Sequence, residues 1–292
     1  MANQYTKRQH IVPQFLLRYF DDSSGLVSVI DKQNSPYIAR DQSPKGIFAE
    51  NDMYETKNID GSYFERNFIE NHFACMEGHI SGIIKSVSAN ADESLVLSGE
   101  DDAALAQLIA LQLVRLPIIK KVLCNNPKGR YTSDKEKELY DNATYRMLLF
   151  SDKSGFDYLE ENGLALSDWA KDEVKGKNLL SHVASFILDE CAIYIAKAEK
   201  GSHFIITDNP VLIDAFPDAK YVFPISPQLS VCCCLWEQAK GKQDGGCIEI
   251  NAEGVQNINR LLIEKANRWV VCSRVDADSV IKNMQLQNET KA

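Results

Sequence analysis

Apolar residues recur at three- and four-residue steps through the first two thirds of the chain, which is the spacing of one face of a helix. We therefore predict helices over 62–86, 99–123, 133–150 and 178–190. The second helix has a start signal, because Ser98 can cap it and the acidic run 100–102 suits the positive end of its dipole. Pro117 follows its apolar body closely enough to bend or end it.

The last third of the chain changes to short apolar runs broken by turn residues, which predicts strands. We expect a hairpin from 193–198 and 203–207, and further strands over 221–225, 229–236, 247–251 and 268–273. An earlier strand is predicted over 26–32, and an amphipathic helix over 255–267.

This order of elements predicts an α+β fold. Long helices from the first two thirds would pack on a mainly antiparallel sheet, formed largely by the C-terminal third plus an N-terminal strand. Because residues 8–40 have both strand and helix character, we expect them to dock on the later sheet. One integrated domain over 1–292 is therefore predicted, with a helical part at about 60–190 and a sheet-rich part at about 191–275 plus 8–40.

The composition, 45% hydrophobic and 25% charged over 292 residues, is typical of a soluble globular protein. No apolar run approaches the ~20 residues of a membrane-spanning helix. The N-terminal segment also lacks the apolar core of a signal peptide. We therefore expect a cytoplasmic protein with no membrane partner.

The net charge of −9 disfavours binding to duplex DNA through its phosphates. The clearest basic cluster, within 120–130, is local. Binding of a short RNA or a nucleotide in a pocket stays open.

The eight cysteines show no CxxC pair and no zinc-like spacing with histidine, so we interpret them as reduced, buried apolar residues. Three catalytic or nucleotide-binding signatures are absent from the sequence: the GxSxG elbow, the GxxxxGK[ST] loop and GxGxxG after a strand. This disfavours α/β-hydrolases, P-loop NTPases and Rossmann dehydrogenases.

The opening stretch RQHIVPQFLLRYF contains His10, Gln14 and Arg18 at four-residue spacing. If the stretch is helical from Pro13, these side chains lie on one side. His10 could then act as a general base or a metal ligand, or it could cap the helix.

Glu70 and Glu77 are seven residues apart, so they share a face of the predicted helix over 62–86. A partly buried carboxylate there needs a cation, a metal or a proton. We favour an ion pair of Glu77 with Arg115 or Arg18 over a metal site. Gln112 and Arg115 are polar positions in the apolar run LIALQLVRLP, where an arginine binds either a carboxylate or an anionic ligand.

Asp208 and Asn209 end a strand-like run in FIITDNPVLI. Because Pro210 holds Asn209 extended, Asp208 lies on a stiff corner where a catalytic carboxylate could be placed. Such corners are also common for turn reasons alone, and the residues by themselves slightly favour that interpretation.

The motifs HIVPQFLLRYF, ENDMYE, LQLVRLP, ITDNP and FPISP occur in an order that resembles the family called domain of unknown function 4238. The resemblance covers about residues 8–273. The matched positions are His10, Val12, Pro13, Leu17, Phe20, Gln112, Arg115, Pro117 and Thr207 to Pro210. It implies no catalytic residues, since the activity of the family is unknown. It does imply that several polar positions recur, as in a hydrolytic pocket.

The leading hypothesis is a hydrolase, namely a nuclease acting on RNA or nucleotides and a toxin-like or phage-defence effector. The predicted catalytic residues are His10, Asp208, Arg115 and Gln112, and the predicted substrate-binding residues are Gln14, Arg18 and Asn209. Glu70, Glu77 and Asp208 would hold a divalent metal, Mg²⁺ or Mn²⁺. The alternative is a non-catalytic sensor or interaction module in which these residues form a buried structural network. Chemistry on an NAD- or nucleotide-like ligand is a third, weaker hypothesis.

Overall fold

The chain begins with short strands and turns before its first long helix. The structure is a computed structural model that describes residues 5–22, 24–92, 94–119, 133–150, 154–163, 179–239 and 246–289. Its first elements are β1 (Arg8–His10), α1 (Gln14–Leu17), β2 (Val27–Asp31), β3 (Ala39–Gln42), β4 (Ala49–Asn51), β5 (Thr56–Lys57) and β6 (Tyr63–Phe64). The predicted basic cluster within 120–130 lies outside the described residues.

Within the described ranges five helices follow and the remaining strands come late, as the sequence predicts. The helices are α2 (Phe68–Ala89), α3 (Gly99–Arg115), α4 (Asp134–Phe150), α5 (Ser154–Glu161) and α6 (Leu179–Glu190). The late elements are β7 (Cys191–Ala198), β8 (Ile206–Thr207), β9 (Leu212–Phe216), β10 (Ala219–Pro224), β11 (Leu229–Leu235), β12 (Cys247–Ile250), α7 (Ala252–Lys265), β13 (Trp269–Cys272) and α8 (Ala277–Glu289).

The strands form two main sheets. One has the order β12-β7-β11-β10-β9 and the other β3-β2-β13-β8, while β1-β4 and β5-β6 are two-stranded. Among the described strands all pairs are antiparallel except β12 with β7. The α+β fold class is confirmed, and the N-terminal strand β2 does pair with the C-terminal strand β13.

The predicted hairpin of 193–198 with 203–207 is wrong. β7 pairs with β11 and β12, whereas β8 pairs with β13 in the other sheet. The chain between them is anchored elsewhere, because Phe204 N donates to Pro227 O at 2.8 Å and Ile205 N donates to Asn259 Oδ1 at 3.1 Å. Strand β7 is buried on both faces and has a partner strand on each edge. The pattern of apolar residues in the sequence cannot distinguish such a strand from one arm of a hairpin.

The start of α3 agrees with the sequence and its end is earlier than predicted. Ser98 and Asp101 form a reciprocal capping box at the first turn. The helix ends at Arg115, since Leu116 is extended before Pro117. Helix α2 begins at Phe68 rather than at 62, because the preceding residues form β6 and a turn.

The five-stranded sheet lies between two apolar layers. Alternate residues of β7 face opposite sides. Ile193 and Ile195 pack with α3 and α6, whereas Tyr194 and Ala196 pack with α7 and β13. No disulfide joins the described cysteines; Cys75 is exposed and the others are wholly or partly buried.

Candidate functional site

A cleft of about 690 Å³ lies where β1, the turn before β4, α2 and the end of α3 meet. We call it the polar cleft. Its lining residues are Thr6, Lys7, Arg8, His10, Gln14, Ser43, Lys45, Gly46, Glu70, Glu77 and Arg115. Five of the predicted site residues, His10, Gln14, Glu70, Glu77 and Arg115, are therefore brought together by segments distant in sequence.

His10 reaches the cleft from a strand, not from a helix. It pairs with Ala49 of β4, and its carbonyl oxygen accepts a hydrogen bond of 3.1 Å from the hydroxyl of Tyr54. The carbonyl of Ile11 accepts from Gln112 Nε2 at 3.1 Å. These bonds fix the backbone on both sides of the imidazole.

The predicted helical row of His10, Gln14 and Arg18 is therefore wrong. Helix α1 begins only at Gln14, and Pro13 precedes it with an extended ψ. Gln14 lines the polar cleft, but Arg18 is exposed on a 3₁₀ turn and does not line it. The pairing of β1 with β4 overrides the four-residue spacing.

A buried hydrogen-bonded network on the other side of β1 positions the start of α2. Gln9 Nε2 donates to Glu55 at 2.7 Å, and Gln9 Oε1 accepts from Tyr54 N at 2.6 Å. The Glu55 carboxylate also accepts the backbone N–H of Asn67, which lies in the left-handed region with φ 64° just before α2. Because Glu70 is in the first turn of α2, this network sets its position. The sequence did not predict this network, although Glu55 lies in the motif ENDMYE.

Arg115 and Glu77 form an ion pair at the base of the cleft. The Arg115 side chain is only 2% exposed, and its guanidinium lies 4.4 Å from the ring centroid of Phe73. The predicted preference for an ion pair of Glu77 is confirmed. Within the described residues Arg115 Nε is buried and has no hydrogen-bond partner, so the guanidinium retains an unused donor.

His10 and Glu70 carry opposite pKa shifts in the same cleft. Burial, and then the charge of Arg115, lower the pKa of His10, against a hydrogen bond to the backbone of Lys45. Burial raises the pKa of Glu70 to about 7, with Glu77 adding to the effect and Arg115 opposing it. Near neutral pH the imidazole is therefore neutral, while Glu70 holds a proton in a large fraction of molecules.

Polar atoms of these two residues are buried without a partner. Neither His10 Nε2 nor Glu70 Oε2 has a hydrogen-bond partner among the residues that the structure describes. Most buried polar groups in folded proteins are hydrogen-bonded, so unpaired atoms in a cleft mark a position for a water, a ligand or a reacting group. A neutral histidine and a protonated carboxyl are suited to act as general base and general acid.

The rim of the cleft is basic although the whole chain is acidic. Lys7, Arg8 and Lys45 line it and are exposed, and Arg8 is oriented by a hydrogen bond of 2.8 Å to Gly46 O. Lys45 and Arg8 were not identified from the sequence, because isolated basic residues form no pattern. Three cations around a cleft attract an anionic ligand.

A metal site is not apparent in the described part of the chain. No group of three or more histidine, cysteine, aspartate or glutamate side chains there is placed to hold an ion. Glu77 is already paired with a guanidinium. The predicted binding of Mg²⁺ or Mn²⁺ by Glu70, Glu77 and Asp208 stays a prediction.

Asp208 does not line the polar cleft. Its carboxylate accepts three backbone N–H bonds, from Asn267 at 2.9 Å, Arg268 at 2.9 Å and Trp269 at 3.1 Å. Burial raises the pKa of Asp208, and these N–H groups oppose the rise. The carboxylate thus fastens the end of β8 to the start of β13, at the wall of a second cavity.

Asn209 and Gln112 also have structural contacts outside the cleft. Asn209 Nδ2 donates to Lys265 O at 3.2 Å at the end of α7. Gln112 is fully buried and, through Ile11 O, acts as a positioning residue for β1. Of the predicted catalytic residues, the cleft therefore contains His10 and Arg115.

The chain thus has an α+β fold with an open polar cleft that is lined by histidine, carboxyl and basic side chains. The chain belongs to the family described as "Protein of unknown function (DUF4238)", which matches residues 8–276. No curated protein and no solved structure matches the chain. Among the described helices, none has both the length and the apolar composition needed to cross a membrane.

Proposed function

We propose that the polar cleft is the active site of a hydrolase that cleaves a phosphate ester or phosphodiester, in RNA or a nucleotide. The single observation that carries the proposal is the pair His10 and Glu70. Both have unpartnered buried polar atoms, their pKa values are shifted in opposite directions, and both line one cleft. The basic rim fits a phosphate better than a neutral substrate.

In the proposed reaction, His10 Nε2 removes a proton from the attacking water or hydroxyl as its oxygen forms a bond to phosphorus. The bond from phosphorus to the leaving oxygen breaks, and Glu70 transfers its proton to that oxygen. Arg115 donates to the phosphoryl oxygens, on which charge increases in the transition state. Glu77 orients the guanidinium.

The pH dependence follows from these roles. As the pH increases, activity should rise when His10 loses its proton, at a pKa below its usual 6.5. It should fall again as Glu70 loses its proton, at about pH 7. The pH profile of activity should therefore be bell-shaped, and Glu70→Gln should remove the alkaline limb.

The test uses the purified full chain with labelled single-stranded RNA and with nucleotides, each with and without Mg²⁺ or Mn²⁺. We expect turnover that falls about 10²- to 10⁴-fold in His10→Gln. His79→Gln is the matched control, because His79 is exposed on α2 outside the cleft. Wild type without turnover on every substrate, or His10→Gln with full activity, would contradict the proposal.

A role as a toxin-like or phage-defence effector is part of the same proposal. It predicts that expression of wild type slows bacterial growth, whereas His10→Gln at equal protein level does not. Growth that is equal for both variants would remove this role.

One observation favours a second candidate, a non-catalytic sensor. The buried network of Gln9, Glu55 and Asn67 and the Asp208 corner show that this chain does use buried polar groups for architecture. Under this alternative the anionic ligand binds in the cleft and is released unchanged. The sensor would be supported if wild type binds the ligand without turnover and His10→Gln loses that binding.

A further inference from the structure

A second cavity of about 470 Å³ adjoins the polar cleft. We call it the apolar pocket. It is lined by Ile11, Val29, Gln42, Gly46, Ile47, Phe48, Ala49, Glu50, Pro117, Ile118, Asp208, Asn267, Arg268 and Trp269. Its volume is within the range of about 300–1,000 Å³ that is usual for small-molecule sites.

The same chain segments build both cavities. Adjacent residues reach different cavities, because His10 lines the polar cleft while Ile11, which follows β1, lines the apolar pocket. Likewise Arg115 belongs to the cleft and Ile118 to the pocket. Gly46 lines both, and a Cβ built on it would meet nothing within 4 Å. The two cavities therefore meet at an open position.

The pocket combines an aromatic wall with free polar side chains. The Arg268 guanidinium lies 4.3 Å from the ring centroid of Trp269, a stacked arrangement that a planar ring can extend. Gln42 and Glu50 make no side-chain hydrogen bond within the described ranges, so an amide and a carboxylate are available for the edge of such a ring. Asp208 is already saturated by three N–H groups.

The pocket wall also contains backbone strain. Phe48 has φ 52°, a left-handed value that costs a bulky residue of the order of 1–3 kcal/mol. It is 6% exposed and comes directly before β4. Strain of this kind persists where the surrounding structure requires it, often at ligand sites.

We infer that the apolar pocket binds the base of a nucleoside phosphate whose phosphate group lies in the polar cleft. This inference rests on the proposed function and narrows its substrate class. An aromatic ring fits the wall of apolar and aromatic side chains, the edge groups of a base fit Gln42 and Glu50, and the phosphate fits the basic rim. An aliphatic chain would make no hydrogen bond with Gln42 or Glu50.

The test compares ligands that differ only in the base. Titration calorimetry of the full chain with nucleoside 5′-monophosphates, ribose 5-phosphate and inorganic phosphate measures the affinity of each. We expect at least one nucleoside monophosphate to bind about tenfold more tightly than ribose 5-phosphate, since stacking of one base supplies a difference of this size or more.

A matched pair of variants locates the effect. Ile118 is 55% exposed and lines the pocket, whereas Val96 is 74% exposed and lies outside both cavities. Ile118→Asp puts a carboxylate on the apolar wall and should remove the advantage of the nucleotide over ribose 5-phosphate. Val96→Asp makes the same change in charge and should retain it.

The outcomes separate the two proposals. If ribose 5-phosphate binds as tightly as every nucleotide, or if Ile118→Asp keeps the full difference, the base site is overturned while the phosphate cleft stands. If the base effect is found but no RNA or nucleotide is cleaved, the hydrolase is overturned and the base site stands. A chain that binds none of the ligands contradicts both.

Discussion

Asp208 is a buried carboxylate and Glu70 a partly buried one, and both have raised pKa values, yet their surroundings differ in kind. Asp208 accepts three backbone N–H bonds, and both of its oxygens are used. Glu70 has one oxygen without any partner in the described part of the chain, and it faces a cleft with a neutral histidine and a buried arginine. Burial is the first cause of both shifts.

A raised pKa alone therefore does not identify a functional carboxylate. What separates the two regions is hydrogen-bond satisfaction. A saturated carboxylate stabilises the fold, because each bond to a charged acceptor contributes to stability. An unsaturated one costs stability, and that cost is retained at functional sites.

Removal of Asp208 should give the largest loss of stability. In Asp208→Ala the N–H groups of Asn267, Arg268 and Trp269 lose their acceptor in a buried corner. We expect the free energy of unfolding to fall by about 3–5 kcal/mol, measured by urea denaturation. His10 lines the cleft, so His10→Gln should lower the free energy of unfolding by less than about 1 kcal/mol, as is usual for a substitution outside the core. A stable Asp208→Ala protein would remove the structural role.

The pH dependence of stability should reveal Glu70. Its pKa of about 7 in the folded state is above the ordinary 4.5, so the folded state holds its proton more tightly than the unfolded state does. The resulting stability is present below pH 4.5 and is lost as the pH rises through 7. The difference in unfolding free energy between wild type and Glu70→Gln should therefore fall by about 3 kcal/mol over this window.

This measurement has an internal control. Asp208 and His10 titrate in both proteins, so their contributions cancel in the difference. A difference that is constant from pH 4.5 to 8 would show that Glu70 has an ordinary pKa. The general-acid role would then be lost.

The ion pair at the base of the cleft should give a smaller effect. Glu77→Gln leaves the nearly buried Arg115 without its carboxylate, but Glu77 is 23% exposed and water reaches it. We expect a loss of about 2 kcal/mol in unfolding free energy. The double variant with Arg115→Met should recover part of it, since no unpaired buried charge remains. Additive losses in the double-mutant cycle would mean that the two side chains do not interact.

Some of this arrangement could be predicted from the sequence, and the reason differs from residue to residue. An ion pair of Glu77 with Arg115 or Arg18 was predictable, because an arginine in an apolar helix must find an anion, and the fold selects Arg115. The capping role of Ser98 was equally local. The saturation of Asp208 was not predictable, because its partners lie about 60 residues away and depend on the pairing of β8 with β13.

The conformation around His10 was also not predictable, because in this case a local pattern indicated the wrong structure. Its spacing to Gln14 and Arg18 fits a helix, but Phe48 and the strand that follows it pair with the backbone of 8–11. Long-range pairing decided the conformation, and it also brought Lys45 to the cleft. Residue types therefore indicated the chemistry, while the partners required the folded chain.

The smallest expected effect belongs to Tyr54, which connects the structural network to the cleft. Its hydroxyl donates to His10 O at 3.1 Å, and its ring lies edge-on to Phe73 at 5.2 Å. Tyr54→Phe keeps the ring and removes one hydrogen bond, so stability should fall by about 1 kcal/mol. If the bond positions His10 for catalysis, kcat should also fall while the KM for substrate is unchanged, because the basic rim is untouched. Unchanged kcat with the same loss of stability would assign Tyr54 to architecture alone, with Asp208.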